Sequence, residues 1–599
     1  MDRNQAIGLT LMGVVLLGYM AFFSSPDQAA IETKTGKDSS ITATAANPAT
    51  TDSSAKTATI ATLDSAKATQ LFGDWAAAAI GQEQTYTLIN QDVKLTFSSK
   101  GAQLVEAELL KYRTWDQKPL ILFTKGTRIA NLSAYDGGTE LFASQYYYVA
   151  QASPDQIVFR TTNGAGKALI QTYKLPKTGY LLDWSVRTEG LSLAKDLQLS
   201  WKQEALPLER DIKAQRITTT VNWHEPTEGY DNLGETNLGA EERAGTAASW
   251  ISVKQKFFIT ALLAPKGLGK WSAKSYTNAE DTASIKRLTV AAEIPGKDAN
   301  TPGGITMQWY LGPNKYHDLK QINSVEDFDK NLYLGWPVIN LVNRFVTVNV
   351  FNWLEHITSN YGIVIIVLVL MVRLLLLPLG YRSYISMAKM KVLKPELDEI
   401  KARVGDDMQA QQAEQMKLYQ QVGINPLSGC IPLLLQMPVL FAMFNFFPNA
   451  IELRQQTLWW AQDLSTFDDY IHWQTAVPFL GHHLSIFNVL LMFSTLGITY
   501  FNNQNTNVNP QMKYIGYIMP VFLMFVLNDL PAGLNFYYLG SNVMSMAQQI
   551  IIRKFVNEED LHRKLQENKT KNANKPKSKF AQRIEEAMKS SEEAKKKKK

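Results

Sequence analysis

Long apolar runs occur at the two ends of the chain and are missing from its middle. Residues 6–23 are apolar apart from Thr10 and a few small residues, and apolar runs recur beyond residue 360. Residues 25–335 contain no run long enough to cross a hydrocarbon core of about 30 Å. The pattern predicts an N-terminal membrane helix, a large domain outside the bilayer and a C-terminal group of membrane helices.

The first segment, residues 1–24, carries Arg3 ahead of its apolar run. We interpret it as an uncleaved signal anchor, because the run exceeds the roughly 7–15 residues usual in a cleaved signal peptide and no clear cleavage site follows. A cleaved signal peptide is the alternative. Residues 25–81 are rich in Ala, Thr and Ser and poor in large apolar residues, which predicts a flexible linker outside the membrane.

Residues 82–325 consist of short alternating segments separated by Gly, Pro, Asn and Asp. Apolar and polar residues alternate in Thr85–Ile89 and in residues 93–97 and 180–186. Alternation with a period of two, repeated in many short runs, predicts a large antiparallel β-sandwich. The chain has one cysteine, Cys430, so this domain must be held together by packing without disulfides.

Residues 326–358 connect the predicted sandwich to the membrane part. Asn340, Asn343, Arg344 and Thr347 fall on one side of a predicted helix there, with Val, Ile, Leu and Phe on the other. This pattern is typical of an amphipathic helix lying along a membrane surface.

Five further apolar segments form a predicted core, residues 359–554, and with the N-terminal helix they make six spans. They are residues 361–379, 432–447, 484–501, 514–528 and 533–552. The loop 380–430 holds seven Lys and Arg, whereas the loop 448–483 holds Arg454 among four acidic residues. Because basic loops stay in the cytoplasm, we place the loop 380–430 and both termini inside and the large domain outside.

Two charged regions on the predicted cytoplasmic side stand out. The loop 380–430 is expected to form a hairpin of two helices, residues 382–404 and 407–422, broken at Gly405. The tail, residues 555–599, is strongly basic: from residue 553 onward, 16 Lys and Arg stand against 8 Asp and Glu, while the whole chain has a net charge of +6. Such a run attracts anionic lipid or ribosomal RNA, and charge alone favours neither.

Arg373 is the most informative single residue, because it lies inside an apolar segment. At 1.5 Å per residue it is about 13 Å from Arg382, too far for easy contact with the surface. A guanidinium stays charged, and burying it in a membrane costs about 2.5–3.5 kcal/mol even by lenient measures. The spans offer it no carboxylate except Asp529 at the opposite boundary. We therefore expect a water-filled cavity open to the cytoplasm.

Polar side chains on three other spans are candidates for the lining of that cavity. They are Gln436, Thr495, Thr499, Tyr538, Asn542 and Ser545. Hydrogen bonding between helices is the alternative role for each of them. No phosphate-binding loop, metal-ligand cluster or nucleophile–base arrangement accompanies them, so we expect no enzyme activity, no cofactor and no metal site.

An ordered set of motifs runs through residues 335–554. It comprises MAKMKVLKP at 387–395, GDD at 405–407, NPLSGCIPLLLQMP at 425–438, ELR at 452–454, PAG at 531–533 and YY at 537–538. Together these motifs resemble the YidC/Oxa family of membrane protein insertases. The N-terminal anchor and the large outside domain further resemble the Gram-negative form of that family.

The resemblance implies an α-helical inner-membrane insertase with six transmembrane helices and an all-β periplasmic β-supersandwich. It implies that Arg373 is the arginine of a hydrophilic groove, that Tyr538 contacts substrate and that the cytoplasmic hairpin receives nascent membrane proteins. The expected partners are these substrates, the Sec translocon, the ribosome and the lipid bilayer, but not DNA. One position departs from some relatives, which carry a hydroxyl where this chain has Val369.

The apolar helix of a substrate is expected to leave the groove along flexible apolar side chains of two spans. The alternative is that these side chains simply face lipid. These residues are Met437, Leu440, Phe441, Met519 and Phe522. Two other functions remain as alternatives. A membrane-anchored carbohydrate-binding or mutarotase-like enzyme leaves Arg373 and the hairpin without a role, and a channel or transporter lacks visible inverted repeats.

Overall fold

The computed structural model describes residues 65–572 apart from 137–138, 194, 238, 279, 406–407, 425–430 and 506–509. The predicted anchor, residues 1–24, lies outside the described residues, as do most of the predicted linker and the end of the basic tail.

The end of the predicted linker is folded. It forms α1 (Ser65–Phe72), a 3₁₀ turn (Gly73–Trp75) and α2 (Ala76–Ala79). Trp75 is buried in the core of the β domain, with its ring centroid 5.5 Å from that of Tyr146. The folded domain therefore begins before residue 82, contrary to the prediction, because one large apolar side chain anchors an otherwise Ala-rich segment.

Nineteen strands follow and pair in antiparallel fashion. They are β1 (Thr85–Ile89), β2 (Val93–Ser98), β3 (Gln103–Arg113), β4 (Pro119–Phe123), β5 (Arg128–Asp136), β6 (Thr139–Phe142), β7 (Val149–Ala152), β8 (Gln156–Thr162), β9 (Ala168–Lys174), β10 (Leu181–Glu189), β11 (Leu197–Glu204), β12 (Thr220–Glu225), β13 (Gly229–Asn232), β14 (Glu241–Gly245), β15 (Ala248–Lys254), β16 (Phe258–Leu268), β17 (Trp271–Tyr276), β18 (Arg287–Ile294) and β19 (Ile305–Pro313), with the helix α3 (Ile212–Thr218) between β11 and β12.

These strands form three sheets. The largest has the order β13-β12-β15-β16-β19-β10-β9-β8-β7, the second β14-β17-β18-β11-β5-β6, and the third β1-β2-β3-β4. Alternate residues of β10 and β11 point into the core, as the period of two predicts. Trp201 of the six-stranded sheet meets Trp309 of the nine-stranded sheet edge to face at 5.1 Å. The two large sheets therefore form the predicted sandwich around an aromatic core.

The nine-stranded sheet is buried on both faces where β15 and β16 run. Phe258 and Leu262 belong to the sandwich core, whereas Ile259, Ala261 and Leu263 belong to a second apolar cluster shared with the helical part. A strand buried on both faces loses polar alternation, which explains the nearly unbroken apolar sequence of β16. The β domain is thus packed directly onto the rest of the protein.

The connection to the membrane part contains α4 (Tyr316–Lys320), α5 (Pro337–Val342), a π-helical turn (Asn343–Thr347) and α6 (Val348–Glu355). Asn343 is fully buried and donates to the carbonyls of Leu334 and Ala442, both at 2.9 Å. Phe345, on the apolar side, is exposed. The predicted amphipathic helix is present, but part of its polar side faces protein and its apolar side faces outward.

The remaining elements are α7 (Tyr361–Val392), α8 (Lys394–Val404), α9 (Met408–Val422), α10 (Ile431–Phe446), β20 (Ile471–Val477), β21 (Gly481–Leu484), α11 (Ile486–Asn505), α12 (Pro510–Val526), α13 (Ala532–Phe555) and α14 (Glu558–Asn572). Five of them overlap the five predicted C-terminal spans. Among the described helices, α7 alone is both long enough and apolar enough to cross a membrane. The apolar part of α12, Lys513–Val526, is shorter. α13 packs between α7 and α11, α12 packs on α11, and α10 packs on α5 and α7.

The predicted cytoplasmic hairpin differs from the expectation at both ends. The first predicted helix, 382–404, is divided: α7 continues to Val392, and α8 starts afresh with Pro395 in its first turn, where proline is tolerated. The predicted tail begins with α14, whose Leu565 is buried beside Leu397 and Leu418 of the hairpin. Helices α8, α9 and α14 thus share one small apolar core.

A buried ion pair joins the β domain to the loop after α10. Arg454 Nε donates to Glu209 Oε1 at 2.7 Å, and both side chains are nearly inaccessible. A guanidinium NH₂ group of Arg454 also donates to the carbonyl of Arg113 at 2.5 Å. Burial raises the pKa of the Glu209 carboxyl to about 7, and Arg454 opposes that rise. We call this contact, with its surroundings, the outer interface.

Candidate functional site

Arg373 lies in the thirteenth position of α7, on the side that faces α13. Its Nε donates to Ser541 Oγ at 3.0 Å and a terminal nitrogen donates to the same oxygen at 2.5 Å. Among the described residues it forms no ion pair with a carboxylate. A guanidinium has five N–H donors, so a single hydroxyl leaves most of its capacity unused.

A narrow cavity of about 10 Å³, room for about one water molecule, lies beside this arginine. Three helices form it, and the lining residues are Val372, Arg373, Leu376, Gln436, Val439, Leu440, Tyr537, Tyr538 and Ser541. The Tyr538 hydroxyl donates to the carbonyl of Leu440 at 2.8 Å, which fixes α13 against α10. The cavity therefore combines one cation and a few polar groups with apolar walls.

Three of the predicted groove residues meet in this cavity: Arg373, Gln436 and Tyr538. Leu440, predicted for the exit path of the substrate, lines it as well. Val369, one turn before Arg373, is buried and packs within the same apolar cluster as Tyr537. Its methyl-bearing side chain packs behind the residues that line the cavity and is not part of the lining.

The other predicted groove residues lie at the contact between α11 and α13 or bond within their own helix. Asn542 donates to the hydroxyls of Ser494 and Thr495, both at 3.0 Å. Thr499 and Ser545 each donate to a backbone carbonyl one turn earlier in their own helices, at 2.9 Å. These contacts are the hydrogen bonding between and along helices that stood as the alternative for each residue.

The predicted exit residues are divided between two helices. Met437 and Phe441 lie on α10, where the Phe441 ring is 6.1 Å from that of Trp336. Met519 and Phe522 lie on α12, which packs against α11, and Phe522 is exposed. The two sets therefore flank the helical core on different helices.

Sequence reasoning missed Ser541 and Tyr537. The polar stripe was assigned to residues 538, 542 and 545, whereas the stripe that faces α7 runs one position earlier. Ser541 bonds Arg373, and Gln548 Nε2 donates to the backbone carbonyl of Arg373 at 3.3 Å. Tyr537, Ser541 and Gln548 follow one another at intervals of four and seven residues. This spacing places them on one side of a helix and was a signal for the second helical face.

The histidines His224 and His483 both lie in the described part of the chain. There, no group of three or more His, Cys, Asp or Glu side chains is arranged to hold a metal ion. His224 is buried with its Nδ1 2.8 Å from Ser249 Oγ, and the His483 ring stacks on Phe467 at 3.8 Å. Both have packing and hydrogen-bonding roles.

Comparisons with known proteins agree in both halves of the chain. One matching family model is described as "60Kd inner membrane protein" and covers residues 353–559; another, "YidC periplasmic domain", covers residues 85–345. The chain is 39% identical to the "Membrane protein insertase YidC" of Cytophaga hutchinsonii, with 99% of this chain and 98% of that protein covered. It is 37% identical to the protein of the same name from Amoebophilus asiaticus, with 99% of each covered.

A solved structure is also similar to the chain. It is described as "Active YidC insertase crystal structure with the first transmembrane domain resolved", with a TM-score of 0.33 and 18% identity. The match covers 78% of this chain and 92% of that chain.

Proposed function

Because the chain belongs to the YidC family of membrane protein insertases, we propose that its substrates are handled at the cavity around Arg373. The protein is an inner-membrane insertase with a periplasmic β domain and a helical membrane core. The finer proposal concerns which of its residues meet the polar part of an inserting chain.

The observation that carries the proposal is the bonding of Arg373. Its charge faces one serine hydroxyl, and among the described residues no carboxylate neutralises it. A buried arginine is normally paired or stabilised by water, since the isolated charge is costly in low dielectric. A polar or acidic segment of a substrate would supply the missing partner for as long as it occupies the cavity.

We propose the following order of events for an inserting chain. The substrate first meets the cytoplasmic hairpin of α8 and α9, and its polar segment then enters beside Arg373, Gln436 and Tyr538. Its apolar helix leaves along Met437 and Phe441 of α10 or along Met519 and Phe522 of α12. The drive comes from burial of that helix in lipid and from the membrane potential, which supplies about 2.3 kcal/mol per charge per 100 mV.

Substitution of Arg373 tests the proposal. Arg373→Ala is expected to slow insertion of substrates with acidic outside segments about 10- to 100-fold, because a hydrogen bond to a charged group contributes about 1.5–3 kcal/mol. Neutralised versions of the same substrates should be affected less. Arg373→Lys should retain part of the activity. The measurement is protease protection of the translocated segment in proteoliposomes.

The matched control is Arg382→Ala, an exposed arginine nine residues further along the same helix. It should leave both substrate classes unaffected. Equal losses for acidic and neutral substrates in Arg373→Ala would remove the electrostatic role and leave a packing role for the side chain.

The topology belongs to the same proposal. Six spans, with both termini in the cytoplasm, fit the surplus of Lys and Arg in the loop 380–430 and in the tail. Insertion alone or beside the Sec translocon is what the family resemblance implies, and reconstitution with and without the translocon separates the two modes.

The ribosome is the proposed partner of the tail. Helix α14 rests on the hairpin, with Gln566 Nε2 donating to Glu396 Oε1 at 3.0 Å. Residues 573–599 follow this helix in the sequence. Those residues hold ten Lys and Arg against four Asp and Glu. The basic composition of this segment, and the packing of the preceding helix α14 on the hairpin, support ribosomal RNA as its ligand.

Truncation after Asn572 tests this proposal while retaining α14. Ribosome co-sedimentation should weaken and its salt dependence should flatten, because each duplex phosphate neutralised contributes about −0.9 to the slope of log K against log salt. Truncation after Lys554 is the less suitable cut, since it also uncovers Leu397 and Leu418. An unchanged slope, together with binding of the tail peptide to anionic vesicles, would assign the tail to lipid.

A further inference from the structure

The loop after α10 contains a β-hairpin whose side chains are almost all exposed. Strand β20 pairs with β21, with Ile471 opposite Leu484 and His472 opposite His483. Tyr470 is 71% exposed, and Phe479, in the connecting turn, is 88% exposed. The Trp473 Nε1 donates to the carbonyl of Gly481 at 2.8 Å, which closes the hairpin on itself.

The composition of this exposed hairpin is unusual. Residues 470–484, YIHWQTAVPFLGHHL, contain no Asp, Glu, Lys or Arg, although two aspartates directly precede them. A strand pair exposed to water normally carries charges that prevent association. Uncharged, aromatic-containing surface of this kind is typical of protein that meets another phase or a partner.

The hydrogen bonds of Asn528 fix where the hairpin lies. Asn528 Nδ2 donates to the carbonyl of Leu480, at 3.3 Å, and to that of His483, at 2.9 Å. Its Oδ1 accepts from the amide of Ser485 at 3.0 Å, just before α11 starts. Asn528 itself follows the last residue of α12 by two positions. The turn of the hairpin is therefore held beside the start of α11 and the end of α12.

The neighbouring helix continues the same kind of surface. Ile518, Phe522 and Phe525 lie three to four residues apart on α12 and are exposed, so they form one apolar stripe on the surface of that helix. Phe479 directly precedes Leu480, which is bonded to the end of that helix. At its base the hairpin is tied to the β domain by the ion pair between Arg210 and Asp469.

From these contacts we propose that residues 470–484 form an interfacial anchor in the outer leaflet of the bilayer. The Phe479 turn enters the boundary between headgroups and acyl chains, and Tyr470 and Trp473 lie among the headgroups. Aromatic side chains are favoured at this depth because one end is apolar and the other forms hydrogen bonds. The anchor would hold the outer ends of α11, α12 and α13 at a fixed height relative to the bilayer. This inference rests on the proposed function, which places these helices in the membrane.

A depth measurement on the full-length protein tests the anchor. Cys430 is the sole cysteine, so a Cys430→Ser background accepts single labels. Phe479→Cys is labelled with a polarity-sensitive fluorophore in nanodiscs of phosphatidylcholine and phosphatidylglycerol. Gln474→Cys provides a second hairpin site, and Val149→Cys, an exposed position in β7, is the matched control.

The label at 479 is expected to show blue-shifted emission, quenching by lipids spin-labelled near the headgroup, and loss of quenching by aqueous iodide. The label at 149 should behave in the opposite way. Iodide quenching at 479 equal to that at 149 would overturn the proposal. Protection from iodide without quenching by spin-labelled lipid would also overturn it, since protein and not lipid would then cover the turn. The label at 474 distinguishes local misfolding of the hairpin from loss of its contact with lipid, because a folded anchor protects both hairpin sites from iodide.

Discussion

Arg454 at the outer interface is buried and Arg373 in the membrane core is partly buried, and the two arginines have opposite surroundings. Arg454 is 3% exposed, forms an ion pair with Glu209 and donates to a backbone carbonyl. Arg373 bonds the hydroxyl of Ser541 and lines a cavity. The first side chain is enclosed by partners from its own chain, and the second keeps most of its donors available.

This difference separates a structural cation from one that can receive a ligand. The contacts of Arg454 join the β domain to the membrane part and leave no room for a substrate. Those of Arg373 position the guanidinium but satisfy only part of it. Substitutions at the two sites should therefore change different properties: stability at the outer interface, and substrate selectivity at the cavity.

The largest effect is expected at the outer interface. Arg454→Ala leaves the Glu209 carboxylate buried without its partner, which should lower the free energy of unfolding by about 3–5 kcal/mol. The measurement is thermal unfolding of the detergent-solubilised protein at pH 8, where Glu209, with its pKa of about 7, is ionised in the unmodified protein. Limited proteolysis should show the β domain separating from the helical part.

Arg210→Ala is the control for this first prediction. The Arg210–Asp469 pair crosses the same boundary but is partly exposed, so its loss should cost no more than about 1 kcal/mol. Similar unfolding temperatures for the two variants would mean that the buried pair contributes no more than a surface pair.

The next prediction compares the two sides of α13. Asn542→Ala removes donors to Ser494 and Thr495 and should cost about 0.6 kcal/mol of stability, at most about 1.7. Its effect on insertion should be equal for acidic and neutral substrates. Ser541→Ala should instead reduce insertion of acidic substrates selectively, by less than Arg373→Ala, because the charge remains but its position is no longer fixed. A selective loss of insertion for acidic substrates in Asn542→Ala as well would place both sides of the helix in the substrate path.

The elements of this fold with strong local patterns could be predicted from sequence. Helices at the five predicted C-terminal segments and the period-two strands could be predicted because burial alone dictates their apolar spacing. The folded segment from residue 65 and the helix α14 were missed because each is held by few apolar side chains. These are Phe72, Trp75, Ala78 and Ala79 in the first and Leu561 and Leu565 in the second. A few buried side chains in a polar or Ala-rich segment produce no repeat of apolar positions from which a helix could be predicted.

The cavity was predictable in part for a similar reason. Arg373 stands out as a charge in an apolar segment, and Gln436 and Tyr538, predicted for the same groove, line the cavity beside it. Ser541 was missed and Asn542 was assigned to the groove, although they are adjacent. Adjacent positions on a helix point about 100° apart, so the choice depends on how α13 is rotated between α7 and α11. That rotation is set by tertiary packing, which a polar stripe alone does not define.

The smallest effect concerns the pH dependence of the outer interface. Burial raises the pKa of the Glu452 carboxyl above its ordinary value of 4.5, and Lys315, at 3.7 Å, partly opposes the rise. Asp318 and Glu355 belong to the same group of charges. Because the folded state favours the protonated form, Glu452 contributes its stability in full below its unfolded pKa. That contribution is lost as the pH rises through the folded pKa.

Glu452→Gln keeps the shape of this side chain and removes its titration. The difference in unfolding temperature between the variant and the unmodified protein should be small at pH 4 and should grow in favour of the variant as the pH rises, with all other carboxyls common to both. Lys315→Met should steepen the decline of stability with pH, because the nearby cation that favours the carboxylate is gone. Parallel pH curves for Glu452→Gln and the unmodified protein would show that Glu452 reaches water. The outer interface would then be more open around Glu452 than around Arg454.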